Sequence, residues 1–129
     1  MNNRTVIAIP TTGAGGIDSQ RSAHFGHADS FTLVEVVDGA ISSHRSVANP
    51  PHEQGGCGMT VALLASEGVN TAIVVGIGRG PLAAMGTHSI TALFDDESRT
   101  PRDAVGAFLA GRHVSLGADQ ACQGHSRAN

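Results

Sequence analysis

Seven histidines and two cysteines in 129 residues carry most of the metal-binding chemistry in this chain, and His24, His27, His52 and His125 fall in glycine-, proline- or serine-rich loops. His24 and His27 sit in Ser22-Ala23-His24-Phe25-Gly26-His27-Ala28, where two imidazoles three residues apart can reach one side of a turn. Neutral imidazole is a borderline ligand that suits iron, zinc, copper and nickel. His52 and Cys57 form a His-x4-Cys pair in His52-Glu53-Gln54-Gly55-Gly56-Cys57, and Cys122 and His125 form a Cys-x2-His pair near the C-terminus. Either pair is short enough to chelate one centre, and thiolates favour zinc, cuprous copper or iron–sulfur units. Gly55, Gly56, Gly58 and Gly124 leave space beside the sulfurs for a bulky inorganic group. The competing reading is two unrelated thiols, one packed and one on a frayed tail.

A further glycine-rich turn, Gly76-x-Gly78-x-Gly80-Pro81, follows an apolar run and precedes a short helix. Backbone N–H groups there can converge on an anion, aided by the helix N-terminus. The spacing is not the dinucleotide fingerprint, since the third glycine comes two rather than three residues after the second. A plain tight turn is the competing reading. Catalytic patterns are thin. No Gly-x-Ser-x-Gly elbow is present, and Asp95-Asp96-Glu97 reads as a solvated turn.

The elements that must position these residues follow from the apolar pattern. Thr5–Ile9 reads as a buried strand closed by Pro10, and residues 11–22 as a polar, glycine-rich loop. Phe31–Val37 and Ala40–Val47 pair across Asp38-Gly39, a dipeptide that accepts the positive φ of a tight hairpin. Asn49-Pro50-Pro51 stops the second strand. Met59–Glu67 is a helix capped by Gly68, Asn70–Val75 a central strand, Pro81–Met85 a short helix and Ser89–Phe94 a strand. Thr100-Pro101-Arg102-Asp103 supplies a hydroxyl cap, proline at the first helical position and an acid two residues on. Ala104, Val105, Phe108 and Leu109 then keep one face apolar up to Gly111. The order predicts an α/β fold, a single domain with a mixed five-stranded sheet flanked by helices, spanning residues 1–111. Residues 112–129 read as a flexible tail carrying Cys122 and His125.

Bulk properties narrow the function. The net charge is −3, and the eight basic residues are all scattered arginines, which argues against nucleic acid. The longest apolar stretch falls far short of the roughly 20 residues of a membrane helix. The N-terminus runs straight into a strand pattern without a secretory apolar region, so a soluble cytoplasmic protein with reduced thiols is expected.

These residues together resemble the nitrogenase iron–molybdenum cofactor biosynthesis family, the NifX-like domain also found at the C-terminus of NifB proteins. The landmarks are Ile7-Ala8-Ile9-Pro10, His24-Phe25-Gly26-His27-Ala28, Asp38-Gly39, Asn49-Pro50-Pro51-His52, Gly68-Val69, Gly76-Ile77-Gly78, Leu109-Ala110-Gly111 and Cys122-x-Gly124-His125. The resemblance implies a ribonuclease H-like fold and binding of an iron–sulfur or molybdenum–iron–sulfur cluster during cofactor assembly or transfer, without catalysis. It makes His24 the leading cluster ligand, beside Gly26, Gly76 and Gly78. By their chemistry, His27, His52, Cys57, Cys122 and His125 are the further candidates. The implied partners are metallocluster donor and acceptor proteins, with the chain a monomer or weak homodimer. The alternative function is a structural or regulatory zinc site on His52, Cys57, Cys122 and His125. A small enzyme that holds a phosphorylated ligand at the glycine turn is a third.

Overall fold

The computed structural model describes residues 4–49, 56–112 and 114–115. Along the chain these form β1 (Arg4–Thr11), β2 (Ser30–Val37), β3 (Ala40–Ala48), α1 (Gly56–Ser66), β4 (Thr71–Val74), α2 (Arg79–Thr87), β5 (Thr91–Phe94), α3 (Pro101–Leu109) and β6 (Val114–Ser115). The sheet runs β3-β2-β1-β4-β5-β6. Its β3-β2-β1 half is antiparallel, and β1, β4 and β5 are parallel. This is the expected mixed five-stranded sheet with three helices. The two-residue β6, antiparallel to β5, extends it at the start of the segment read as a tail.

Alternation along the strands divides the core in two, because successive side chains leave opposite faces. Val6, Ala8, Leu33, Ala72 and Val74 pack under Val61 and Leu64 of α1 and Leu82 and Met85 of α2. Ile7, Ile9, Val34, Val36, Ile73 and Leu93 pack under Ala104 and Val105 of α3, with Phe108 half-buried beside them. The crossovers therefore put two helices on one face and one on the other. β1, β4 and β5 share one carboxyl end, the side where α/β sheets characteristically place ligands.

Local chemistry sets the boundaries. Asp38 (φ 53°) and Gly39 (φ 84°) make the tight hairpin. Gly68 (φ 88°) ends α1 in a Schellman motif, with Val69 N–H donating to the Leu64 carbonyl and Gly68 N–H to that of Ala65. The Thr100 hydroxyl caps α3 by accepting from the Asp103 N–H at 3.1 Å.

Three local expectations are corrected. Pro10 lies inside β1 rather than closing it. Its carbonyl points away from β2 to accept from Ser22 N–H at 2.9 Å, so the missing proline N–H falls on the side away from the β2 ladder and costs no bond there. Leu109 is exposed, and Ala107 is buried in its stead. Asp95 is buried: it accepts from the N–H groups of Glu97 and Ser98 and from the Ser98 hydroxyl, organising the turn that leads to α3.

Candidate cluster-binding site

The connection from β1 to β2 builds the site, and Phe25 is its anchor. The ring is 2% exposed and meets Phe31 of β2 in a tilted contact, centroids 5.2 Å apart. Ala28 is buried on the same α1/α2 side, whereas His24 and His27 are both exposed. A buried aromatic between two histidines thus turns both imidazoles outward on a fixed support. The Ser22 hydroxyl braces the entry to the turn: it lies 3.2 Å from both the N–H and the carbonyl of His24.

Asn49 braces the exit. Its side-chain amide donates to the carbonyls of Gly26 (3.1 Å) and Ala28 (2.8 Å), and its oxygen accepts from the Thr60 hydroxyl of α1 (3.1 Å). One side chain thereby ties the histidine turn to the helix whose first turn contains Cys57. In the sequence Asn49 reads only as part of a strand stop. Its amide is both donor and acceptor, which was the one available hint of a bridging role.

The glycine turn meets the histidine turn at Gly76, where a Cβ would lie 3.7 Å from the Ala23 carbonyl, an ordinary contact. Neither Gly76 nor Gly78 has positive φ, and a Cβ at Gly78 would touch only the Pro81 ring, at 3.8 Å. Backbone strain does not explain these two glycines. Gly76 leaves the surface beside the Ala23 carbonyl free of a side chain. Gly78 is also the N-cap of α2, with no side chain capping the helix, so the positive end of its dipole opens onto the same rim.

The structure places the backbone leading into the histidine turn beside Gly76, at the Ala23 carbonyl, and ties the turn through Asn49 and Thr60 to α1. Among the described residues no three His, Cys, Asp or Glu side chains converge into a metal-holding group. His52, Cys122 and His125 lie outside the described residues. Cys57 belongs to the first turn of α1, and its side chain lies outside what the structure describes.

The opposite face of this end is built differently. Residues 12–20 fold over the α3 side of the sheet, where the hydroxyls of Thr11, Ser30 and Thr32 join (2.7 and 3.2 Å) and Thr32 accepts from Gly16 N–H at 2.9 Å. Arg21, buried at 7% exposure, bridges to Thr11 and gives its N–H to the Arg99 carbonyl. Sequence reasoning missed it, because a lone arginine in a polar loop reads as solvated.

A mixed sheet with helices on both faces and exposed histidines after its first strand defines this α/β domain. Residues 4–111 match the family described as dinitrogenase iron-molybdenum cofactor, and the chain belongs to that family. The apo form of the orange protein from Desulfovibrio gigas is similar in structure (TM-score 0.77) and 26% identical, with 88% of this chain and 93% of that one aligned. A Thermotoga protein described as a NifB protein of the DUF35 family has a TM-score of 0.71 and 26% identity, covering 87% of this chain and 93% of its own. A Methanocaldococcus jannaschii protein described as a dinitrogenase shares the fold at a TM-score of 0.70 and 16% identity, over 88% of this chain and 96% of that one. No curated protein matches the sequence. Among the described residues no helix is long and apolar enough to cross a membrane.

Proposed function

We propose that this chain binds an iron–sulfur or molybdenum–iron–sulfur cluster as cargo and carries it in cofactor assembly or transfer, without catalysing a reaction. The observation that carries this reading is the pair of exposed imidazoles, His24 and His27, held outward by buried Phe25 in a turn that Asn49 fixes to α1. Family membership supplies the class of cargo. His24 is the leading ligand. His27 and Cys57 are the further candidates in the described part, and His52, Cys122 and His125 would approach from the remaining segments. Gly26, Gly76 and Gly78 leave room for the cluster at the rim.

A carrier must release what it holds. Few protein ligands, on an exposed rim, let an acceptor protein replace them one at a time. A closed four-ligand cage would oppose that exchange. The partners in this reading are the cluster's donor and acceptor proteins in the cytoplasm, and the carrier acts as a monomer or weak homodimer. The ribonuclease H-like description of the fold belongs to the same reading, supported by the antiparallel β3-β2-β1 and parallel β1-β4-β5 halves. Mononuclear zinc on His52, Cys57, Cys122 and His125 is less favoured, because the family points to a cofactor cluster.

Anaerobic reconstitution with iron, sulfide and molybdate, followed by metal and acid-labile sulfide counting, tests the reading. Visible absorption with sulfide bound to the full chain, weakened in His24→Ala, is expected. One zinc per chain with no sulfide taken up under any loading condition would refute it.

A further inference from the structure

Among the described residues, the guanidinium of Arg21 has one edge without an acceptor. Nη1 donates to the Ser98 carbonyl at 3.0 Å, but Nε and Nη2 are buried and have no hydrogen-bond partner among the described residues. These are the two nitrogens that share one fork of the guanidinium, the geometry that grips two oxygens of one planar or tetrahedral oxyanion. The same molecule shows the fork in use. Arg102 holds Asp18 through Nε at 2.9 Å and Nη2 at 3.1 Å.

The nearby carboxylates do not fill this role. Asp95 and Asp96 both act on the Arg21 charge, while burial lowers its pKa. The Asp95 oxygens, however, are committed to Glu97, to Ser98 and to the turn they make. Asp18 is taken by Arg102. A buried charged donor with no acceptor is costly, which makes an unmatched fork a strong signal.

Arg21 lines an open cleft of about 590 Å³ with Asp18, Gln20, Ala23, Ser98, Arg99 and Thr100. The cleft opens at the start of α3, whose first turn begins at Pro101 beside the Thr100 cap, so the helix dipole adds positive potential there. Arg99 at the rim is exposed and adds a second cation. The cleft lies on the α3 face, since Arg21 pairs with Thr11, whereas the histidine turn packs on the α1/α2 face.

We propose that this cleft is a binding site for a small oxyanion, a phosphate or a carboxylate, gripped by the Nε–Nη2 edge of Arg21 with Arg99 assisting at the rim. The edge lies under the surface, so side chains over it must move as the anion enters. The site adjoins the proposed cluster rim, since Ala23 and Val75 also line the cleft, but its test uses no cluster.

The experiment titrates the full-length chain, free of metal, with inorganic phosphate and separately with acetate, at constant ionic strength made up with chloride. Binding is followed by amide and arginine Nε–H shifts in NMR spectra. Expected are saturable shifts at Arg21, Ser98 and Thr100 with at least one of the two anions; which anion saturates first identifies the class. Arg99→Ala, at an exposed position that leaves folding intact, should weaken binding roughly tenfold, the worth of one charge-assisted hydrogen bond. Arg21→Gln should abolish it. Shifts that are absent or non-saturating with both anions overturn the proposal, as do shifts confined to His24 and Gly76. Affinity unchanged in Arg99→Ala would remove its assisting role, and affinity retained in a folded Arg21→Gln would end the proposal.

Discussion

Residues 12–20 and residues 22–28 belong to one connection between β1 and β2, yet they treat polar groups in opposite ways. The first stretch is richer in glycine and covers the α3 face, and its backbone is clamped onto buried hydroxyls. At Gly15 (φ 79°) a Cβ would stand 2.7, 2.8 and 2.9 Å from the hydroxyl oxygens of Ser30, Ser46 and Thr11. The second stretch hangs from one buried aromatic ring and exposes its imidazoles. A long glycine-rich loop was the more conspicuous signal in the sequence, but there glycine serves close packing. The proposed ligands sit in the shorter stretch, where a single apolar residue decides which side chains face out.

That contrast can be broken at its anchors. Phe25→Ala removes a core ring and should cost about 3 to 4 kcal/mol in urea unfolding, with cluster uptake falling as the turn loosens. Gly15→Ala places a methyl group among three oxygens at a positive φ, and should cost about 2 to 3 kcal/mol. Cluster stoichiometry of the folded fraction should stay unchanged, since the clamp is not part of the rim. Asn49→Ala forfeits three hydrogen bonds and should cost about 1 to 2 kcal/mol. Unlike Gly15→Ala, it should also raise hydrogen exchange at Gly26–Ala28 specifically. Equal exchange in both variants would show that the two stretches are one mechanical unit.

The smallest effect concerns pH. Burial pushes the Asp95 carboxyl up, but the Ser98 hydroxyl, the Glu97 and Ser98 N–H groups and the Arg21 charge together hold it below its ordinary value of 3.8. A carboxyl whose folded pKa is lowered stabilises the fold fully above its unfolded pKa, and that contribution is lost as pH falls through the folded one. Stability should therefore decline on acidification below about pH 4, and the decline should be shallower in Asp95→Asn. Parallel acid profiles for the two proteins would remove Asp95 from the account.

Much of the fold was legible because its determinants are local. Asp38-Gly39, Gly68 and Thr100-Pro101 act through their own backbone preferences, and each does in the structure what its type dictates. Pro10, Asp95 and Arg21 were misread or missed because their roles depend on which neighbour lies across the sheet, something a linear pattern does not encode. The same holds for the site. His24 and His27 stood out by residue type and spacing, whereas Asn49, which fixes their turn to α1, acts through residues 21 to 23 positions back along the chain.

The central claim is that the cargo is gripped at the rim by an imidazole from the Phe25 turn. Pulsed electron paramagnetic resonance of cluster-loaded protein, labelled with 15N-histidine and poised in a paramagnetic state, tests it directly. The account predicts a nitrogen hyperfine coupling in the native chain that disappears in His24→Ala. A cluster bound at full stoichiometry with no histidine coupling, or with the coupling intact in His24→Ala, would contradict it.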